Sequence, residues 1–352
     1  MSITFEAEIT PGMSAREVVD LARIAEQAGF DRLGISDVVF WPDVAALMAL
    51  VANNTSTIAI GPMVTNPYSR HPAVLAGVMA TVNDISQGRA FLGIGVGAGL
   101  EQLGMNYPRP VAALREAITA ITALLRGETV SLQGSTITID AARMVGPVAP
   151  VPVSIGSRSA QVMRLAGELA DVALVGGRLI DATVAAQYRG WLAEGAARVG
   201  RDPATIEVAP RLTLCISPDG QLARNSLKRY VGHYAMLIRP VDLVEREGGA
   251  WLARVEAALA RSTGWYFDHD RVDDPELDVL IDDDLVRRFA VAGTPDECAE
   301  LADAVLDLGF DSASMNLAAP RRESMYAGLR ETLEHSAEFL TLVRERATAR
   351  GR

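Results

Sequence analysis

The chain has 352 residues, 49% of them hydrophobic, enough to bury a large core, and it does not read as disordered. Its 33 basic residues are outnumbered by 44 acidic ones, and a net charge of −11 suits neither nucleic acid nor an anionic membrane as a partner. Two cysteines, Cys215 and Cys298, are too few for a disulfide framework or a cysteine-rich metal site; with no leader-like start and no uncharged run of membrane length, the expected location is the cytoplasm.

Strand and helix signals alternate from the start. ITFEAEI (3–9) alternates polar and apolar residues. A helix follows, with Ser14 as its N-cap, a stripe of Val18, Leu21, Ala22, Ala25 and Ala28, and Gly29 at its end. RLGIS (32–36) is a short strand and DVAALMALVANN (43–54) a helix. TIAIGPMV (57–64) is the third strand, with a helix from Pro72 to about Ser86. RAFLGIG (89–95) is an almost wholly apolar fourth strand, as a parallel sheet covered on both faces requires, and a helix at 110–126 follows it. VPVSIGS (151–157), DVALVGG (171–177) and TIEVAPRLTLCIS (205–217) each precede a helix, the last near 220–238, and DSASMNL (311–317) precedes a long C-terminal one. Eight βα units without a change of composition predict one α/β domain over 1–352, a (β/α)₈ TIM barrel. Two stretches exceed the barrel: TVSLQGSTITID (129–140), read as a hairpin, and about 239–290, read as an insertion over the barrel mouth.

The chemistry of such a barrel sits at the carboxyl ends of its strands. Here those ends carry Glu8, Ser36 and Asp37, the run Pro62-Met63-Val64-Thr65-Asn66, GIGVGAG (93–99), Gly156-Ser157-Arg158 and Val175-Gly176-Gly177. Pro62 cannot donate to a ladder, so the third strand breaks or bulges there, and Pro67 and Pro72 stiffen the loop that leads to the next helix. GIGVGAG contains G-x-G-x-x-A, but it comes after the fourth strand and lacks the downstream acid of a dinucleotide fold; its glycines either let backbone approach a flat or phosphorylated ligand or merely make a tight turn. IGSRSA (155–160) opens a helix and offers either an anion site or an N-cap serine beside a solvated arginine. Glu8 and Asp37 are acid–base candidates or structural acceptors. The four histidines show no ligand spacing, so no metal site is expected, and no nucleophile elbow is present.

EQAGFDRLGISD, GPMVTNPYSRHPAVLAGVMATVNDISQGRAFLGIGVGAG, VPVSIGSRSAQVMRLAGELADVALVGG and FAVAGTPDECAELADAVLDLGFD together resemble the bacterial luciferase-like superfamily. The third-strand segment is most similar to its coenzyme F420-dependent branch, as in methylenetetrahydromethanopterin reductase. The resemblance is weakest across 239–290. It implies a non-prolyl cis peptide at Met63–Val64 behind a deazaflavin ring. It also implies that Asp37, Thr65, Asn66, Gly95, Val96 and Gly97 lie near the ring and ribityl chain, and that Gly156, Ser157, Arg158, Gly176 and Gly177 hold the phosphate end. Glu8 matches an acid–base glutamate of the reductases. Two positions depart from the pattern. Ala98 stands where the reductases carry Asp, which sets the pterin substrate apart, and Val38 stands where sugar-phosphate dehydrogenases carry a catalytic His.

The expected function is therefore hydride transfer between coenzyme F420 and a small organic substrate, pterin-like in the related reductases, by a homodimer without nucleic-acid or membrane partners. Glu8 is the leading proton donor or acceptor, and Trp265, Tyr266 and Phe267 belong to the covering insertion. The alternatives are an FMN-dependent monooxygenase on the same fold and a non-catalytic flavin-binding protein.

Overall fold

Alternate residues of the first strand, β1 (Thr4–Ile9), go to opposite sides. Phe5, Ala7 and Ile9 join the main apolar core beneath the helices, while Glu6 and Glu8 face the other way. The same alternation runs round the sheet in the computed structural model, which describes residues 3–97, 99–176, 180–264, 270–310, 312–321 and 323–350. The strands in chain order are β2 (Arg32–Ile35), β3 (Ala59–Pro62), β4 (Leu92–Ile94), β5 (Val130–Gln133), β6 (Thr138–Ala142), β7 (Val153–Ser157), β8 (Val172–Val175), β9 (Glu207–Ile216), β10 (Val291–Gly293) and β11 (Ser312–Leu317). Eight of them run parallel in the order β3-β2-β1-β11-β9-β8-β7-β4, and two bridges, Ile60↔Ala90 and Thr65↔Ile94, join β3 to β4. This is the expected (β/α)₈ barrel.

The helices track their sequence signals closely. Ala15–Ala28 begins with a capping box between Ser14 and Glu17 and ends at Gly29. Val44–Ala52 is capped by Asp43, and Pro72–Ile85 by the His71 ring, with Pro72 at its first turn. The stretch expected as one helix near 220–238 is two, Gly220–Ser226 and Lys228–Ile238, because the Leu227 N–H bonds back three residues to the Arg224 carbonyl and the ladder restarts there. β5 and β6 form the antiparallel hairpin. β10 was not legible as a strand. It pairs with the far end of β9, Val291 opposite Leu214, beyond Pro210, where the pairing with β8 has ended.

Residues 241–289 form three helices, Val241–Arg261 with a break at Gly248, Glu276–Leu280 and Asp283–Phe289. They share a second apolar core with Tyr230, Val231 and Ala235, and this core rests on Cys215, Ala292 and Ala318, at the carboxyl ends of β9, β10 and β11. Trp265, Tyr266 and Phe267 lie outside the described residues.

The third strand carries the expected irregularity. Between the bridges at Ile60 and Thr65, β3 advances one residue more than β4, so the extra residue bulges, and the Met63–Val64 peptide bond within it is cis. Neighbouring strands make room for it with glycine. A Cβ on Gly34 would sit 2.5 Å from the Met63 Cβ, and one on Gly93 only 2.0 Å from the Pro62 carbonyl oxygen. The neighbour at Gly93 is backbone and cannot turn aside. Gly93→Ala is expected to lower stability by about 1–3 kcal/mol and to reduce the melting temperature. Gly190→Ala, on the exposed side of a helix where a Cβ meets nothing within 4 Å, should leave stability unchanged or slightly higher.

Candidate active site

The barrel interior divides into an apolar and a polar half. Met63, Phe91, Val172, Leu174 and Ala209 form a small apolar cluster on the β3, β4, β8 and β9 side. Facing them are Glu6 and Glu8 from β1, Arg32 from β2, Glu207 and Arg211 from β9, and Ser314 and Asn316 from β11. Charges on strands covered from both sides persist only when they find partners. Arg32 pairs with Glu207 at the amino ends of their strands, and Arg211 pairs with Glu8 nearer the mouth.

Glu8 is 1% exposed. The Arg211 guanidinium grips it through two nitrogens, Nε donating to Oε2 at 2.7 Å and Nη2 to Oε1, and the Ser36 hydroxyl donates to Oε1 at 2.8 Å. Thr10 lies 3.4 Å beyond Ser36, oxygen to oxygen. Below this layer, Glu6 accepts from the Ser314 hydroxyl at 2.6 Å. Burial pushes the Glu6 carboxyl up to about 7, against the Ser314 bond and the charges of Arg32 and Arg211, with the Glu8 charge adding to the rise. Asn316, paired in register with Glu8, is fully buried, and neither end of its carboxamide has a partner among the described residues.

Asp37 follows β2 and receives the Thr65 hydroxyl at 2.7 Å and Arg70 Nη1 at 2.8 Å. Arg70 reaches on to Asp43. Thr65, fully buried, also bridges the backbone of β4, its N–H to Gly93 and its carbonyl to the Gly95 N–H. Asn66 spends its carboxamide oxygen on the N–H groups of Tyr68 and Ser69, which shapes the loop beyond it. The bulge therefore brings Met63, Val64, Thr65 and Asn66 beside Gly95, Val96 and Gly97, and places Asp37 against Thr65. The glycines of GIGVGAG are in large part the counterpart of this bulge. Ala98 lies outside the described residues.

At the end of β7, Ser157 and exposed Arg158 lead into the helix Ala160–Leu169, whose N-cap Ser159 makes no side-chain capping bond. The Ser157 hydroxyl accepts from the Ser159 N–H at 3.0 Å. Gly176, after β8, donates to the Ser157 carbonyl, and a Cβ there would lie 2.8 Å from the Arg158 Cγ, so only glycine lets that stem pass. Gly156, Ser157, Arg158 and Gly176 thus meet at one helix start whose first amides remain available to an anion. Gly177 lies outside the described residues. Among the described residues, no cluster of three or more His, Cys, Asp or Glu is arranged to hold a metal, and no helix is long and apolar enough to cross a membrane.

Arg211 and Arg70, which hold the two candidate carboxylates, were not singled out from sequence. A signal existed for Arg211. A charge inside TIEVAPRLTLCIS, a strand predicted to be covered on both faces, demands an opposite charge.

This arrangement defines a (β/α)₈ enzyme scaffold with a polar pocket floor, a bulged third strand and an anion-ready helix at its carboxyl face. Residues 1–312 match the family described as luciferase-like monooxygenase, and the chain belongs to that family. It is 31% identical to the 5,10-methylenetetrahydromethanopterin reductase of Methanolobus tindarius, covering 87% of this chain and 92% of the relative. It is 27% identical to the F420-dependent glucose-6-phosphate dehydrogenase of Segniliparus rotundus, covering 84% and 86%. Among solved structures, the coenzyme F420-dependent tetrahydromethanopterin reductase of Methanopyrus kandleri superposes with a TM-score of 0.80 at 24% identity, over 95% of this chain and 98% of that one.

The Glu6 carboxyl titrates near 7 in the folded chain and near 4.5 when unfolded, so the folded chain binds the extra proton between those values. Stability should be full at pH 4.5 and fall on the order of 3 kcal/mol as pH rises through 7. Glu6→Gln, which cannot ionise, is expected to remove that slope in urea unfolding followed from pH 5 to 8.

Proposed function

We propose that this chain is a coenzyme F420-dependent oxidoreductase that moves a hydride between the deazaflavin and a small organic substrate. The observation that carries the reading is the bulge at Pro62–Thr65, which sets Met63, Val64 and Thr65 beside the glycine-rich end of β4 on the carboxyl face. The names of the Segniliparus dehydrogenase and the Methanopyrus reductase both include this coenzyme, which supports the assignment.

The residues present fit such a group. Met63, Val64, Thr65 and Asn66, with Gly95, Val96 and Gly97, would line the ring and ribityl chain, and Asp37 would stand beside them through Thr65. Gly156, Ser157, Arg158, Gly176 and Gly177 would hold the phosphate end, using amides that no side chain caps. The bound coenzyme supplies the carbon that gives or takes a hydride. The chain's own residues orient the partners, exclude water and set the local charge, with Glu8 as the carboxylate of the reacting centre. The helices of 241–289 act as a lid. Their core stands on the carboxyl ends of β9, β10 and β11, and the Ile180 N–H bonds the Arg288 carbonyl, tying the loop after β8 to them.

The working form is a cytoplasmic homodimer. The helices Val44–Ala52 and Pro72–Ile85 are apolar on most sides, and Leu50 and Val74 stay exposed, as helices awaiting a second copy do. Analytical ultracentrifugation should show a dimer that Val74→Glu converts to monomer. The deazaflavin coenzyme should raise the melting temperature in a concentration-dependent way, with FMN giving little shift. Strong stabilisation by FMN alone would instead support the monooxygenase reading.

A further inference from the structure

The site assigned so far contains a carboxylate that no substrate can reach directly. Glu8 is 1% exposed, and both its oxygens are engaged by Ser36 and Arg211. Its partner differs. The Arg211 side chain is 24% exposed, although Glu6 and Ser314 at its own strand level are closed. From that level the side chain leans to Glu8, two residues nearer the carboxyl face. Two of its three nitrogens are committed to Glu8, and Nη1, with two N–H groups, has no acceptor among the described residues. A guanidinium presents its donors in one rigid plane, so the grip on Glu8 fixes where that free edge points.

We infer that Arg211 is the residue that meets the substrate, donating from Nη1 to an uncharged oxygen at or beside the reacting carbon, and that Glu8 is a positioning residue acting through it. The inference rests on the oxidoreductase reading above. Three physical points support it. Glu8 offsets the arginine charge, so the pair is neutral overall and favours a carbonyl or hydroxyl oxygen over a carboxylate or phosphate. Hydride addition to a carbonyl carbon leaves an electron pair on its oxygen, and a donor already held in place stabilises that charge without reorganising. Finally, the neighbouring Asn316 carboxamide is buried with both ends unpartnered, an arrangement that costs stability unless a polar group enters this layer.

Arg211→Ala would strand a buried carboxylate and destabilise the fold, so the informative variants are Arg211→Lys, which keeps the charge and loses the fork, and Glu8→Gln. Three measurements on the full chain decide the matter. Fluorescence titration should give the same deazaflavin affinity in wild type and Arg211→Lys. In arginine-labelled, deazaflavin-loaded wild type, the Arg211 Nη1 protons should shift saturably in NMR spectra on adding 2-piperidone, a neutral carbonyl compound, and not on adding acetate. Reduced deazaflavin bound to the protein should be oxidised in single turnovers by members of a panel of cyclic ketones, enones and imines. Arg211→Lys should slow this about 100-fold, and Glu8→Gln should slow it equally at every pH without removing a titration limb. The inference is overturned by an absent Nη1 shift, by acetate outcompeting the lactam, by a wild-type rate in Arg211→Lys, by loss of a pH limb in Glu8→Gln, or by a wild type that reduces no member of the panel. Failure of the wild type to bind deazaflavin at all overturns the oxidoreductase reading instead.

Discussion

One extra residue between Ile60 and Thr65 sets the geometry of the whole carboxyl face. Because β3 gains that residue on β4, the Thr65 amide and carbonyl re-engage β4 beyond the bulge, and its hydroxyl turns back to Asp37, just after β2. The bulge exists only where neighbours have no side chain to oppose it, at Gly34 on one side and Gly93 on the other. Three strands and their loops are thereby tuned to a single irregularity, and the loop after it is fixed again by Asn66 and by Arg70 bridging Asp37 and Asp43.

The interior obeys a different logic. A (β/α)₈ barrel is ordinarily filled by layers of branched apolar side chains. Here that holds on the β3, β4 and β8 side, while β1, β9 and β11 bring in three glutamates, an arginine, a serine and an asparagine. The cost of burying those groups is met by pairing them, Glu8 with Arg211 and Glu6 with Ser314, and is left open at Asn316. A fold that keeps an unsatisfied amide next to an ion pair beneath its mouth is organised for something other than maximal stability.

Much of this was legible in the sequence because it depends on local rules. Strand and helix alternation, the cap at Ser14, the bulge at Pro62 and the small hairpin are written in neighbouring residues. What escaped was long-range. Arg211 meets Glu8 across 203 positions, and only strand register shows that both face inward. The break at Leu227 has no glycine or proline to announce it, and the three-residue β10 is too short for a periodicity to register, although Thr294-Pro-Asp-Glu297 after it forms a capping box that could have marked the next helix. The family resemblance supplied the cis bond and the coenzyme, which no count of residues would have given.

The account turns on where a tricyclic redox ring would rest, and a crystal structure of the protein with oxidised coenzyme F420 tests it directly. The ring should lie against the backbone of Met63, Val64 and Thr65 and along Gly95 to Gly97, with the phosphate at the amides opening the helix at Ala160 and open space between the ring and Arg211. A ring bound away from the third-strand bulge, or a phosphate held elsewhere than at that helix start, would contradict it.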